Sequence, residues 1–190
     1  MHYFYQYLFL ALWLIWALYW WISAGDVKQT VWREPLISRL LHIVPLAIAS
    51  ILLWMPELPV LGLNWRLIPA TAPLFWVCAA LTASGLLICV WARRVLGRNW
   101  SGTVTLKADH ELITGGPYAY VRHPIYTGLL LAFFGSALAR GDGRGLLALL
   151  LVTLALWRKL RIEERGMRSQ FGSAYSDYAE RVAALIPFLL

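Results

Sequence analysis

The sequence predicts an all-α fold, a polytopic bundle of about five membrane-spanning helices, on three observations. Sixty per cent of the 190 residues are hydrophobic and 14% are charged, more apolar surface than a soluble core of that length requires. The apolar residues come in runs of roughly 20, the length that crosses a hydrocarbon layer. The cations sit in the connections beside those runs, so the net charge of +7 reads as topology and anionic headgroups rather than nucleic-acid binding. A single membrane domain, 1–190, is expected.

The first span is predicted over 3–22, with aromatics at both ends where an interfacial belt lies. It has no basic n-region and no small-residue cleavage site, so it reads as a retained span rather than a signal peptide. A polar connection from Ser23 to Pro35 carries Lys28 and Arg33. The second span, 36–55, contains Arg39, placed to snorkel, and His42, one turn deeper and read as packing. Prolines at 56, 59, 69 and 73 exclude a regular helix over 56–73. The third span, 74–92, is expected to stop at Arg93-Arg94. Its Cys78 and Cys89 lack metal-type spacing and read as packing residues; no metal site is expected.

The longest polar connection follows, from Arg93 to Arg122. The fourth and fifth spans, 124–138 and 146–160, are joined by Arg140-Gly141-Asp142-Gly143-Arg144-Gly145, too short for anything but an antiparallel hairpin. These glycines mimic a nucleotide-binding pattern, but no strand precedes them. The tail from Arg161 is amphipathic, with Met167, Phe171, Tyr175 and Tyr178 at helical spacing, and is expected to lie along the membrane surface and cover something. Of the seventeen Lys and Arg, all but Arg66, Arg140 and Arg144 fall at one end of this arrangement. The positive-inside rule then puts the N-terminus outside, and the long connection and tail in the cytosol. Asn99-Trp100-Ser101, a glycosylation pattern, would lie on the unmodified side.

One stretch, Gly115 to Gly128, gathers turn residues, cations and aromatics between two apolar runs. Its glycines and Pro117 fix a bend, and Pro124 suits the first turn of a helix, so Arg122 and His123 are held at a helix entrance. Twenty residues back from Gly143 is His123, and twenty forward is Glu163. At equal rise per residue the two arms bring Arg122-His123 to the same depth as Arg161-Ile162-Glu163-Glu164. Carboxylates at a membrane exit are costly unless paired or used, which makes this convergence a candidate functional site.

The run Leu112-Ile113-Thr114-Gly115-Gly116-Pro117-Tyr118, then Val121-Arg122-His123-Pro124-Ile125-Tyr126-Thr127-Gly128, then Glu163-Glu164 with Phe171-Gly172, Tyr175, Tyr178 and Pro187, resembles the isoprenylcysteine carboxyl methyltransferase family of integral membrane enzymes. The phospholipid methyltransferases share the pattern, which covers roughly Arg93 to Pro187. The resemblance implies S-adenosylmethionine-dependent methyl transfer at the cytosolic membrane face to a lipophilic acceptor, such as the carboxylate of a prenylated cysteine or a related lipid. It also implies a cofactor region over about 93–128 and 158–187. By the resemblance, Leu112, Gly116, Pro117, Tyr118, Arg122, His123, Pro124, Tyr126 and Glu163 or Glu164 are the cofactor positions. Arg158 or Arg161 takes the family's catalytic arginine role beside the two glutamates.

Those residue types suit a sulfonium cofactor: cations and carboxylates for its zwitterionic head, aromatic faces for its adenine and its positive sulfur. A carboxylate acceptor needs no general base, whereas an amine acceptor makes His123 or a glutamate the candidate base. Two other readings stay open at this point. One is a sterol-type reductase binding NADPH, with Arg93, Arg94, Arg98 and Lys107 as a cluster for the 2′-phosphate; the other is a non-enzymatic membrane scaffold.

Overall fold

The helices of this protein outlast the apolar runs that nucleate them. The computed structural model describes residues 2–25, 27–28, 30–54, 62–100, 105–107 and 111–189. In chain order these form α1 (His2–Ser23), β1 (Thr30–Arg33), α2 (Leu36–Trp54), α3 (Ala72–Leu96), β2 (Thr105–Lys107), α4 (Pro124–Arg140), α5 (Gly143–Phe171) and α6 (Ser173–Arg181). Helix α3 does not stop at Arg93-Arg94, and α5, at 29 residues, is nearly twice its expected length. Charge marks where a helix leaves an apolar layer, whereas its backbone ends where a residue leaves helical φ/ψ. Arginine and lysine are good helix formers and are favoured in a last turn. The actual stops are Gly97 and Gly172, at φ 52° and 53°, a region glycine enters without penalty. The expected surface tail is therefore two things: the last turns of α5, and α6 folded back after Gly172.

Among the described residues, two helices suffice by length and composition to cross a membrane, Leu36–Trp54 and α3 with its terminal 3₁₀ turn, Ala72–Asn99; Tyr7–Ser23 and Pro124–Arg140 are shorter apolar helices. Much of α2 is bare of protein contacts: Ile37, Leu41, Ile43, Val44, Ile48 and Ile51 are exposed. A continuous apolar face of that kind suits lipid rather than water.

The tightest packing joins α3 to α4 through glycine. A Cβ on Gly85 would lie 2.4 Å from the Gly128 carbonyl oxygen, one on Gly128 2.5 Å from that of Gly85, and one on Gly135 2.6 Å from Thr82 Oγ1. Small residues let backbones approach closely where no hydrophobic effect drives helices together. Helix α1 packs on this pair, with Trp13 Nε1 donating to Ser136 Oγ at 3.0 Å. Helices α2 and α5 pack together across a core of Ala49, Leu52, Leu53, Val152 and Leu156.

The two ends of the bundle differ. At one end the α4–α5 turn is a hairpin, as its length dictates: Gly141 takes φ 66°, and Asp142 caps α5 by accepting from the N–H groups of Arg144 and Gly145, both at 3.1 Å. Asp142 also pairs with Arg140 and Arg144, and the 67–68 segment donates to the Gly141 carbonyl. Pro56 and Pro59 of the proline-bearing connection lie outside the described residues.

At the other end the helical bundle carries a small non-helical element. Strands β1 and β2 form a short antiparallel ribbon, pairing Thr30 with Lys107, Trp32 with Leu106 and Arg33 with Thr105. The ribbon ties the first connection to the third, a pairing between distant segments of three or four residues that no local pattern announces. Arg93 reinforces it, donating to the Ser23 carbonyl at the end of α1 and to the Gly97 carbonyl at 2.7 Å, its guanidinium 4.7 Å from the Trp100 ring centroid. Asn99 is buried, its Oδ1 accepting from the Glu111 N–H; Ser101, which would complete the glycosylation pattern, lies outside the described residues, as do Ala108, Asp109 and His110.

Candidate functional site

Between the ribbon end of the bundle and α6 lies a cavity of about 260 Å³, and its polar floor is the convergence that residue counting predicts. Gly115 and Gly116 lead into a 3₁₀ turn, Gly116–Ala119, with Gly116 at φ 60°. The chain then reaches His123, the residue capping α4, with Pro124 in the first turn. From the opposite arm of the hairpin, α5 delivers Glu163 and Glu164. His123 Nδ1 lies 3.7 Å from Glu163 Oε2, and His123 Nε2 lies 3.4 Å from Glu164 Oε1. The second contact has ion-pair distance without hydrogen-bond alignment, so Nε2 is buried with no hydrogen-bond partner among the described residues. The imidazole lies parallel to the Tyr126 ring, centroids 5.4 Å apart at 4°.

Arg122 and Glu164 form a different kind of pair. Arg122 Nε and Nη2 reach Glu164 Oε1 at 2.8 and 2.7 Å, while Nη1 donates to the carbonyls of Ala179, at 2.8 Å, and Val182. Burial alone would raise the Glu164 carboxyl; His123 and the Arg122 guanidinium outweigh it and hold the group down at about 2. The pair stitches the tail to the helix entrance. Beyond α6 the stitching continues in the backbone, where the Arg122 and His123 N–H groups donate to the Ala183 and Ala184 carbonyls at 2.8 and 3.1 Å. Thr127 Oγ1 donates to the Leu185 carbonyl at 2.6 Å.

The tail closes the cavity as well. Tyr178 OH donates to the Tyr118 carbonyl at 2.6 Å, and both rings, with Tyr175 and Met167, line the space. Burial raises the Tyr118 and Tyr175 phenols far above their ordinary range and pushes Tyr178 up to about 12, so these hydroxyls stay protonated and act as dipoles. Opposite the tail the walls are apolar: Trp16 and Trp20 of α1, Leu46 of α2, Leu129 of α4 and Leu156 of α5.

Of the residues expected at the site, Leu112, Tyr118, Arg122, His123, Pro124, Tyr126 and Glu163 line the cavity. Gly116 and Pro117 shape the turn without lining it, and Glu164 lies behind Arg122. Arg158 points away, toward α2, where it donates to Ser38. Arg161 is exposed, its carbonyl accepting from Arg165 Nε. The residue between them, Lys159, enters the cavity instead: its Nζ is 3.8 Å from Glu163 Oε1 and 5.3 Å from the Tyr126 ring centroid. Sequence reasoning passed over Lys159, although its i,i+4 spacing to Glu163 is a recognisable helix-face pairing. Trp16, Trp20 and Trp100 were also missed as lining residues, since in an almost wholly apolar chain nothing singles out one tryptophan.

Comparison with known proteins adds the family. The phospholipid methyltransferase family profile matches residues 74–174, from the start of α3 into α6, and so takes in both arms of the site. The chain belongs to the phospholipid methyltransferase family. Among curated proteins similar to this family member, the protein-S-isoprenylcysteine O-methyltransferase of Schizosaccharomyces pombe is 35% identical over 99 residues, 49% of this chain and 41% of that protein. The methanethiol S-methyltransferase 1 of Bradyrhizobium diazoefficiens is 35% identical over 71 residues, 37% of this chain and 24% of that protein. The chain spans less than half the length of either relative. A solved structure of a eukaryotic intramembrane Ras methyltransferase, isoprenylcysteine carboxyl methyltransferase, aligns with a TM-score of 0.45 and 24% identity over 83% of this chain and 55% of that one.

Proposed function

We propose that this family member is an S-adenosylmethionine-dependent membrane methyltransferase acting on a lipophilic acceptor, of which the carboxylate of a prenylated cysteine is one type. The observation that carries the reading is the joining of Arg122-His123 to Glu163-Glu164 at the floor of a cavity whose other walls are aromatic and aliphatic. Such a space suits a ligand with a zwitterionic head and an aromatic base beside an apolar one. In five-span form, with the N-terminus outside, the ribbon, α6 and the cavity face the cytosol.

The residues present fit the cofactor. Lys159 offers an ammonium for a carboxylate, Glu163 a carboxylate for an amine, and the buried Nε2 of His123 a polar atom not yet hydrogen-bonded. Tyr118 and Tyr126 present π faces, which attract a cation. When bound, the cofactor supplies an electrophilic methyl group on a sulfonium. The protein's share is alignment and exclusion of water: Trp16, Trp20 and Leu46 wall off the apolar side, and α6 covers the polar side. A carboxylate acceptor attacks without losing a proton and needs no base, whereas an amine acceptor would have to give up a proton, to His123 or a glutamate.

The reductase reading draws less support, since none of Arg93, Arg94 and Arg98 lines the cavity. The test is calorimetric titration of the purified protein with S-adenosylmethionine. Binding competed by S-adenosylhomocysteine supports the proposal, whereas no heat with the sulfonium and thermal stabilisation by NADPH would overturn it. Incubation with labelled S-adenosylmethionine and host membranes, followed by mass identification of the labelled product, then identifies the acceptor.

A further inference from the structure

A second polar cluster, with its acid and imidazole buried and its arginine 34% exposed, lies beside the cavity without lining it. Glu34, just before α2, is 2% exposed, and His42, two turns on, is 1% exposed. Between them Ser38 Oγ donates to Glu34 Oε1. From α5, Arg158 Nη1 donates to the Ser38 carbonyl at 2.9 Å and Nη2 to the Ser38 hydroxyl at 2.7 Å, with Nη1 also 3.7 Å from Glu34 Oε1 and 3.5 Å from His42 Nδ1. With Arg158 facing Nδ1, the neutral imidazole carries its proton on Nε2, the atom 4.0 Å from Glu34 Oε2. Arg39 adjoins Ser38 on α2, and the other charges that act on His42 are Lys159 and Glu163 of α5.

Burying Glu34 and His42 is expensive, and well-packed apolar residues of similar volume often hold helices together as well or better. In some proteins buried ionic groups add one preferred register. Successive residues on a helix are turned by about 100°. With Arg158 fixed against α2, Lys159 is turned toward the cavity, Glu163 follows on the same side, and Arg161 is carried to the opposite, exposed face. The planar guanidinium makes the lock directional, because two of its nitrogens grip one serine while its edge meets the acid and the imidazole.

We infer that Glu34, Ser38, His42 and Arg158 are positioning residues that set the roll of α5 about its axis and thereby aim Lys159 and Glu163 into the cavity. Glu34, Ser38 and His42 precede the stretch matched by the family profile, so three of the four residues come from the N-terminal part of the chain, and Arg158 comes from the matched stretch. The inference rests on the proposed function for its consequence but not for its geometry.

The experiment uses the full chain in a Cys78→Ala/Cys89→Ala background. The pair Tyr126→Cys/Lys159→Cys is compared with Tyr126→Cys/Arg161→Cys for bridging by a short thiol-specific cross-linker. With the lock intact the first pair bridges preferentially. The apolar combination Glu34→Leu/Ser38→Ala/His42→Leu/Arg158→Met should stay folded by circular dichroism and elution profile, yet lose at least threefold in that preference. Without the added cysteines, the same combination should bind S-adenosylmethionine at least tenfold more weakly. Should the combination not fold, Ser38→Ala and Arg158→Lys, which keep the charges and break the fork, are read instead. A folded variant with unchanged cross-linking preference would overturn the inference. If the unmutated protein binds no S-adenosylmethionine while the preference still falls, the proposed function fails and the positioning role stands.

Discussion

Glu164 shows how one carboxylate ties a site to a fold. It is buried, it takes two nitrogens of Arg122 and the edge of His123, and its acidity is raised accordingly, to about 2 from an ordinary 4.5. Its folded-state value is depressed, so its contribution to stability is complete above the ordinary value and is lost as pH falls from there toward 2. Glu164→Gln removes the charged half of the pair, at a cost of about 2 kcal/mol. Its thermal midpoint should be lower than the parent's at pH 6 and should fall less between pH 6 and pH 3; parallel curves would count against the assignment. The neighbouring cations separate in the same way. Lys159→Met, which empties the cavity of its ammonium, should lower methyl transfer at least tenfold, whereas Arg161→Met, on the exposed face, should stay within about twofold. Measuring labelled-methyl incorporation in both decides which cation the site uses.

Helices α3 and α4 are held at a separation only glycine permits. Adding a methyl at Gly85 or Gly128 brings it within 2.5 Å of a carbonyl oxygen on the partner helix, where backbone rather than a flexible side chain must move. Gly85→Ala and Gly128→Ala should each cost about 2 kcal/mol and shift α4, and with it His123, away from α3. Gly25→Ala, with nothing within 4 Å, is the control. Thermal midpoints of the three variants test this, and equal midpoints would rule it out. The α4–α5 hairpin was legible because its turn is short and glycine-rich. The ends of α3 and α5 were not, because arginines suggest a boundary to the membrane and say nothing of where helical geometry stops.

Across the whole molecule the cavity is a product of closure. Its floor comes from the α4–α5 hairpin, its apolar wall from α1 and α2, and its cover from α6 and the segment running back past Arg122. Tyr178→Phe removes the bond from the cover to the Tyr118 carbonyl, worth about 1 kcal/mol. It should weaken S-adenosylmethionine binding about fivefold while leaving helix content unchanged. Titration against the parent is the check, and unaltered affinity would show that the cover closes without this contact.

Composition, run length and the position of cations determined the membrane-helix character of the chain. Spacing about Gly143 determined that His123 and Glu163 meet, because two arms of one hairpin share a fixed rise per residue. Neither kind of regularity reaches across the chain to non-adjacent helices. Whether Arg158, Lys159 or Arg161 enters the cavity depends on the roll of α5, and that is decided by what α2 presents to it. The ribbon between the first and third connections, the tryptophans of α1 that wall the cavity, and the return of the tail onto Arg122 are likewise tertiary outcomes. They arise from pairings between distant segments, where burial and hydrogen-bond satisfaction choose among many locally equivalent arrangements.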